Sequence, residues 1–212
     1  MAQTSKGILG NVSGTVGTVV GAKWRGKSYL RSKPDIKKSG KKSDRQLIQQ
    51  AKFALANNLS QGMKELLDIG FKTTATGLTG KNKALSHMLK KAITGTYPDL
   101  QIAYNRVMVS KGTLLNAFDA KASVAVKEAI QFTWTDNSTV SNTNETDVVL
   151  MAAYCPDFNC TVFRTGNNRK TANDTLQMPG FTGKLVHTWV TFITEDGEDI
   201  ATSLYTGEVI IT

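Results

Sequence analysis

Trp24 and Tyr29 stand among Lys23, Arg25, Lys27 and Arg31, the densest set of interaction-prone side chains in a 212-residue sequence. Cations at this spacing meet phosphate oxygens, and an aromatic ring beside them stacks on a nucleobase. The same residues also suit a protein contact, with Trp24 and Tyr29 packing inward while the cations meet an acidic face of a neighbouring subunit. Residues of one parity share a face of a strand. Lys23, Arg25 and Lys27 are therefore expected to point together, subject to the turn, and Val16, Val20 and Trp24 share a parity.

Signals of catalysis are sparse. His87 lies on a helical stretch beside Lys90 and Lys91, and His187 lies on a strand beside Trp189. Nothing in their spacing to cysteines or carboxylates forms a metal set. Residues 75–82, Ala-Thr-Gly-Leu-Thr-Gly-Lys-Asn, fall short of a phosphate-binding loop. Ala75 stands where the first glycine is needed, and Asn82 where a hydroxyl would ligate magnesium. The stretch reads better as a loop capping a helix. No Gly-x-Gly-x-x-Gly fingerprint follows a strand, and no Gly-x-Ser-x-Gly elbow is present.

Cys155 and Cys160 flank Pro-Asp-Phe-Asn, a hairpin turn that lets them face each other; without an export signal they are read as free thiols. Glu195, Asp196, Glu198 and Asp199 cluster about Gly197, but lack the ligand pattern of a calcium loop and read as a polar turn facing water. The glycosylation sequons at Asn137, Asn144, Asn159 and Asn173 mark polar loops. No catalytic residue, cofactor or metal ligand is therefore assigned, and no enzymatic turnover is expected.

Charge separates the two ends of the chain. Of 26 Lys and Arg, eleven fall in residues 1–50 against two acids, a local +9. Residues 51–120 carry nine basic and four acidic groups, and residues 121–212 carry six basic and eleven acidic groups, a local −5. A polyanion or an acidic protein surface near the N-terminal end matches this asymmetry, as does a solvated basic tail that aids solubility. With 40% hydrophobic residues the chain is not of the disordered or disulfide-dense classes. It has no apolar run long enough for a membrane span. No signal peptide is read, so the expected location is the cytoplasm or a particle assembled there.

These residues must be positioned by three kinds of segment. Residues 14–24, rich in Gly, Val and Thr, predict one strand, 25–27 a turn and 28–33 the return strand of a hairpin. Residues 33–42 read as a linker. Ser43 then caps a long amphipathic helix to about Ile69, ending near Gly70. A shorter helix follows over 83–93, stopped by Gly95 and Pro98, and then a strand over 100–109. From about Asn116 the pattern is all-β, with strands at 130–134, 148–154, 161–163, 175–178, 185–193 and 203–211. That is the spacing of a sandwich of about seven short strands. Trp134, Val149, Leu150, Phe163, Leu185, Trp189, Phe192 and Leu204 are its expected core.

Residues 7–27, Gly-Ile-Leu-Gly-Asn-Val-Ser-Gly-Thr-Val-Gly-Thr-Val-Val-Gly-Ala-Lys-Trp-Arg-Gly-Lys, with Arg31-Ser-Lys-Pro following, resemble the opening of a family of uncharacterised proteins from Bacteroidetes. Gln46 to Phe53, the Ala92-Ile-Thr-Gly-Thr-Tyr-Pro98 segment and Glu195-Asp196-Gly197 look like later segments of that family, so the resemblance runs over nearly the whole chain. Phe132-Thr-Trp134 and Trp189-Val-Thr-Phe192 are also similar to fibronectin type III or immunoglobulin-like modules. The family has no assigned activity to carry over, so the resemblance implies architecture rather than function.

The expected protein is α+β and non-enzymatic. It has a basic Gly-rich β arm and linker (1–42), a helical segment with one following strand (43–115), and a fibronectin-III-like or immunoglobulin-like β-sandwich (116–212). Its expected role is structural, in a virion- or filament-like assembly. The arm, through Lys23, Trp24, Arg25, Lys27, Tyr29 and Arg31, docks on another subunit of a homo-oligomer or larger assembly. The alternative is a nucleic-acid-binding accessory protein using the same arm.

Overall fold

A computed structural model describes residues 3, 4, 10, 12–24, 26–35, 42–72 and 79–212 of the chain. Among the described residues the chain is mostly β with three α-helices, and it divides into two units, Met1–Ser43 and Asp44–Thr212.

The larger unit is organised around its most continuous apolar runs. Strand β9 (Val148–Cys155) reads Val-Val-Leu-Met-Ala-Ala-Tyr-Cys and is buried from Val149 onward. Such a run needs cover on both faces, and it has it. Val149, Met151, Ala153 and Cys155 pack in one cluster with Ile130, Phe132, Trp134 and Leu176. Leu150, Ala152 and Tyr154 pack on the other side with helix residues Leu59, Met63, Leu66 and Met88. β9 pairs antiparallel with β10 (Cys160–Asn168) and β12 (Leu185–Ile193), and β13 (Leu204–Ile210) completes a four-stranded sheet in the order β10-β9-β12-β13. The facing sheet has three strands, β11 (Asn173–Gln177), β8 (Ala129–Thr135) and β7 (Phe118–Val126), in the order β11-β8-β7. Together they form a seven-stranded antiparallel β-sandwich.

Helices cover the outer face of the four-stranded sheet. The run expected as one helix to Ile69 is two, α1 (Asp44–Gly62) and α2 (Lys64–Gly70). The break falls where a sheet strand meets the helix end: Thr161 donates its hydroxyl to the Gly62 carbonyl at 2.9 Å, and a Cβ on Gly62 would collide with the Asn159 backbone. Helix α3 (Gly80–Lys91) starts earlier than residue 83 because Thr79 caps it, its hydroxyl accepting the Asn82 N–H at 3.3 Å. Lys81 and Asn82 therefore lie in a helical first turn; residues 75–78 of the Gly-Lys stretch lie outside the described residues.

The strand expected over 100–109 is replaced by a short hairpin, β5 (Ile93–Thr96) with β6 (Asp99–Ile102), and a 3₁₀ turn over Tyr104–Arg106. Residues 100–102 pair back on 93–95 across the Tyr97-Pro98 turn, which shortens the strand, and Val107 and Val109 then enter the helix-side core. The helices and the outer sheet face share one core, so residue 116 falls inside the larger unit. Among the described residues no helix is long and apolar enough to cross a membrane.

Trp134, Val149, Leu150, Trp189 and Phe192 are buried as expected, while Phe163 is half-buried on the helix side. Leu185 and Leu204 are each 40% exposed, contrary to expectation. Leu185 pairs with the exposed Ile210 at the end of the sheet, and Leu204 opens the edge strand β13.

The smaller unit is a four-stranded antiparallel sheet in chain order: β1 (Gln3–Thr4), β2 (Val12–Val16), β3 (Val19–Trp24) and β4 (Lys27–Ser32). The single strand expected over 14–24 is interrupted by a turn at Gly17, whose φ of 56° is a left-handed conformation natural to glycine. The return strand ends at Ser32, close to its expected end. Gly21 is obligatory for another reason, since a Cβ there would strike the Val12 carbonyl of the neighbouring strand.

Candidate functional site

The register of β3 with β4 decides which arm residues act together. Trp24 lies opposite Lys27, Ala22 opposite Tyr29, and Val20 opposite Arg31. Directly opposed residues share a face, so Trp24, Lys27, Tyr29 and Arg31 form one side of the sheet. Lys23 lies opposite Ser28 on the other side, with Val19, Leu30 and, across β2, Val16. The expected grouping of Lys23 with Lys27 is thereby corrected. A two-residue turn pairs position 24 with 27, which inverts parity across the hairpin. The turn at Gly17 likewise separates Val16 from Val20 and Trp24. Arg25, the sixth residue of the set, lies outside the described residues.

Apolar side chains on both sides of this sheet are exposed among the described residues. Trp24 is 59% exposed, Tyr29 47%, Leu30 63% and Val16 60%; among the described residues of the unit only Gly21 is buried. Lys23, Lys27 and Arg31 make no ion pair among the described residues. The exposed Val16, Val19 and Leu30 were not singled out as a group by the sequence, because their parities differ until the Gly17 turn is placed.

Charge within residues 121–212 is distributed unevenly. Arg164, Arg169, Lys170 and Lys184 pair with Asp174, Asp147, Glu145 and Asp157. Glu195 and Glu198, on the turn between β12 and β13, are exposed and make none of these pairs. The turn is held by its other acids. The Asp196 carboxylate accepts the Thr194 hydroxyl at 2.6 Å and the Glu198 N–H at 2.9 Å, which hold its pKa below the usual range. Asp199 accepts the Thr113 hydroxyl. Two carboxylates are thus presented on a rigid support.

The remaining sequence-singled residues have structural surroundings. His187 is buried, stacks on Tyr104 with centroids 3.6 Å apart, and shares a 2.9 Å hydrogen bond with the Tyr205 hydroxyl through Nδ1. Burial pushes its pKa down, only partly opposed by Glu208. Cys155 and Cys160 are free thiols directly opposite each other across β9 and β10, and burial, then Cys155, push the Cys160 thiol up. Arg169, which the sequence did not mark, is fully buried. Its guanidinium donates to Asp147 at 3.2 Å, Asn137 at 2.7 Å and the Leu115 carbonyl at 2.9 Å, and lies 4.2 Å from the Phe192 ring centroid. Among the described residues no three His, Cys, Asp or Glu side chains gather to hold a metal.

The class defined by this architecture is a β-sandwich with a helical layer on one face, preceded by a separate basic sheet. Residues 11–207 match the Family of unknown function (DUF6266), and the chain belongs to that family. No curated protein matches it. Among solved structures, the chain is similar to chicken CNTN1 FN1-FN3 domains at 10% identity and a TM-score of 0.38, over 48% of this chain and 33% of that one. It spans about a third of that chain's length. It is similar also to the fn3 domain of the human collagen alpha-1(XX) chain at 10% identity and a TM-score of 0.34, over 47% of this chain and 88% of that one.

Proposed function

We propose that the protein is a structural, non-catalytic component that assembles with copies of itself. Its N-terminal sheet docks on the sandwich of a second copy. The observation that carries this reading is a sheet with exposed apolar side chains on both faces and no buried side-chain core among its described residues. Small sheets of this kind gain stability by packing against another surface. A second copy is the favoured occupant because it supplies the complementary charge: Lys27 and Arg31 beside Trp24 and Tyr29 on the arm, Glu195 and Glu198 on the β12–β13 turn. Burial of the aromatic pair holds the contact, while the charges steer it. An arm-to-body contact joins unlike surfaces, so repetition yields a closed ring or an open filament.

Sedimentation of nuclease-treated full-length protein tests this. The expected result is an oligomer at micromolar concentration that survives high salt and becomes monomeric in the Trp24→Ser/Tyr29→Ser variant. A monomer that shifts only when DNA or RNA is added, with affinity falling steeply as salt rises, would instead assign the arm to nucleic-acid phosphates.

A further inference from the structure

The geometry points to a binding site for a small organic oxyanion, a phosphate monoester or carboxylate, in a cleft of the larger unit. The cleft is about 450 Å³ and is built by three parts of the chain: His87 and Lys91 of α3, Asn105 and Arg106 at the 3₁₀ turn, and Ser203 and Tyr205 about the start of β13. It is a volume suited to a small ligand.

Its lining is rich in donors. Lys91 and Arg106 make no ion pair among the described residues, and no carboxylate among them lines the cleft. The Ser203 oxygen already accepts the N–H groups of Val109 at 2.9 Å and Ser110 at 3.3 Å. Its lone pairs are engaged, so what remains for a ligand is its O–H. The Asn105 amide adds donors of its own. Arg106 offers a planar fork suited to two oxygens of one anion, and Lys91 a point charge. A ligand that satisfies this set carries several acceptor oxygens and negative charge. Val107 and Met108 complete the wall, and the half-buried Met108 gives an apolar portion of the ligand a surface to lie on.

His87 is the built-in reporter. Its Nδ1 is buried without a hydrogen-bond partner among the described residues, and burial, then Lys111, then Lys91, push its pKa below 6.5. The charges acting on it are thus cationic, Lys111 on the chain beyond the 3₁₀ turn and Lys91 on its own helix, and Arg106 lines the same cleft. An anion seated between Lys91 and Arg106 offsets that field and raises the imidazole pKa. This site stands independently of the assembly reading, since none of its residues belongs to the arm and neither Glu195 nor Glu198 lines it.

The test is an NMR titration of the His87 ring in the full-length chain, with inorganic phosphate and with phenyl phosphate, against chloride at matched ionic strength. The site predicts an upward shift of the His87 pKa by both phosphates but not by chloride, with phenyl phosphate binding about tenfold more tightly because its ring lies on Met108. Arg106→Gln should weaken phenyl phosphate binding about tenfold or more, a loss typical of a charge-assisted pair, while Lys90→Gln, on the same helix but outside the cleft, should leave it unchanged. A shift that chloride reproduces, or binding indifferent to Arg106→Gln in a variant whose spectrum shows it folded, would overturn the proposal. So would a response to single-stranded DNA but not to phenyl phosphate.

Discussion

Trp24 and Trp189 each sit on a β-strand, yet Trp24 is 59% exposed and Trp189 is fully buried. The difference lies in what the strand is packed against. Trp189 belongs to a sheet with a second sheet on one face and three helices on the other, and its indole N–H donates to the Val107 carbonyl at 3.1 Å. Trp24 belongs to a small sheet in which, among the described residues, Gly21 alone is buried. The larger unit has its core and its buried polar network within itself. The arm has exposed apolar side chains and cations, which on the proposed reading a second copy covers.

The largest effect expected from this contrast is in dissecting the larger unit. A fragment of residues 116–212 keeps both sheets but exposes Leu150, Tyr154 and Trp189, which the helices cover. It is expected to lose cooperative thermal unfolding and to bind a hydrophobic dye. A fragment that unfolds as sharply as residues 44–212 would show that the helical layer is dispensable.

Next in size is the buried guanidinium. Arg169→Met leaves the Asp147 carboxylate buried without its cation and should cost about 3–5 kcal/mol in denaturant unfolding. Adding Asp147→Asn should recover part of that loss. A loss under about 1 kcal/mol in the single variant would mean that the network does not hold the sandwich.

A smaller effect follows from pH. Burial keeps the folded His187 pKa below its ordinary 6.5, so the unfolded chain takes up that proton first. The His187 contribution is therefore fully present above about pH 6.5 and is lost as pH falls below it. His187→Gln should flatten that part of the stability profile, and an unchanged profile would contradict the assignment. The smallest effect is on the arm. Trp24→Ala should change the unfolding free energy of the larger unit by no more than about 0.5 kcal/mol while weakening self-association.

The parts of this contrast that were legible in the sequence are those set by local pattern. The unbroken run Val148 to Tyr154 predicted a buried strand, and alternation from Ile130 to Trp134 predicted a half-covered one. The break between α1 and α2 was not legible, because Leu59, Met63, Leu66 and Leu67 keep helical spacing through it. The cause is the approach of Asn159 and Thr161 to Gly62, about a hundred residues away in the chain. The arm's composition marked Lys27, Arg31, Trp24 and Tyr29 as interaction residues, but their common face depends on the length of the turn between Trp24 and Lys27. His87, Lys91, Arg106 and Ser203 carry no shared motif and meet only once α3, the 3₁₀ turn and β13 are assembled.

The most direct test of arm docking between copies is a complementation experiment in the analytical ultracentrifuge. One variant carries Lys27→Glu and Arg31→Glu on the arm. The other carries Glu195→Lys and Glu198→Lys on the turn, leaving the loop-holding Asp196 and Asp199 intact. Each variant alone should sediment as a monomer or a much weakened oligomer, because its arm meets like charge. A mixture of the two should reassemble into oligomers that hold both variants in equal numbers, since the wild-type arm of the second fits the wild-type turn of the first and the reversed charges match each other. Variants that assemble alone as the wild type does, or a mixture that stays monomeric while wild type assembles, would contradict the account.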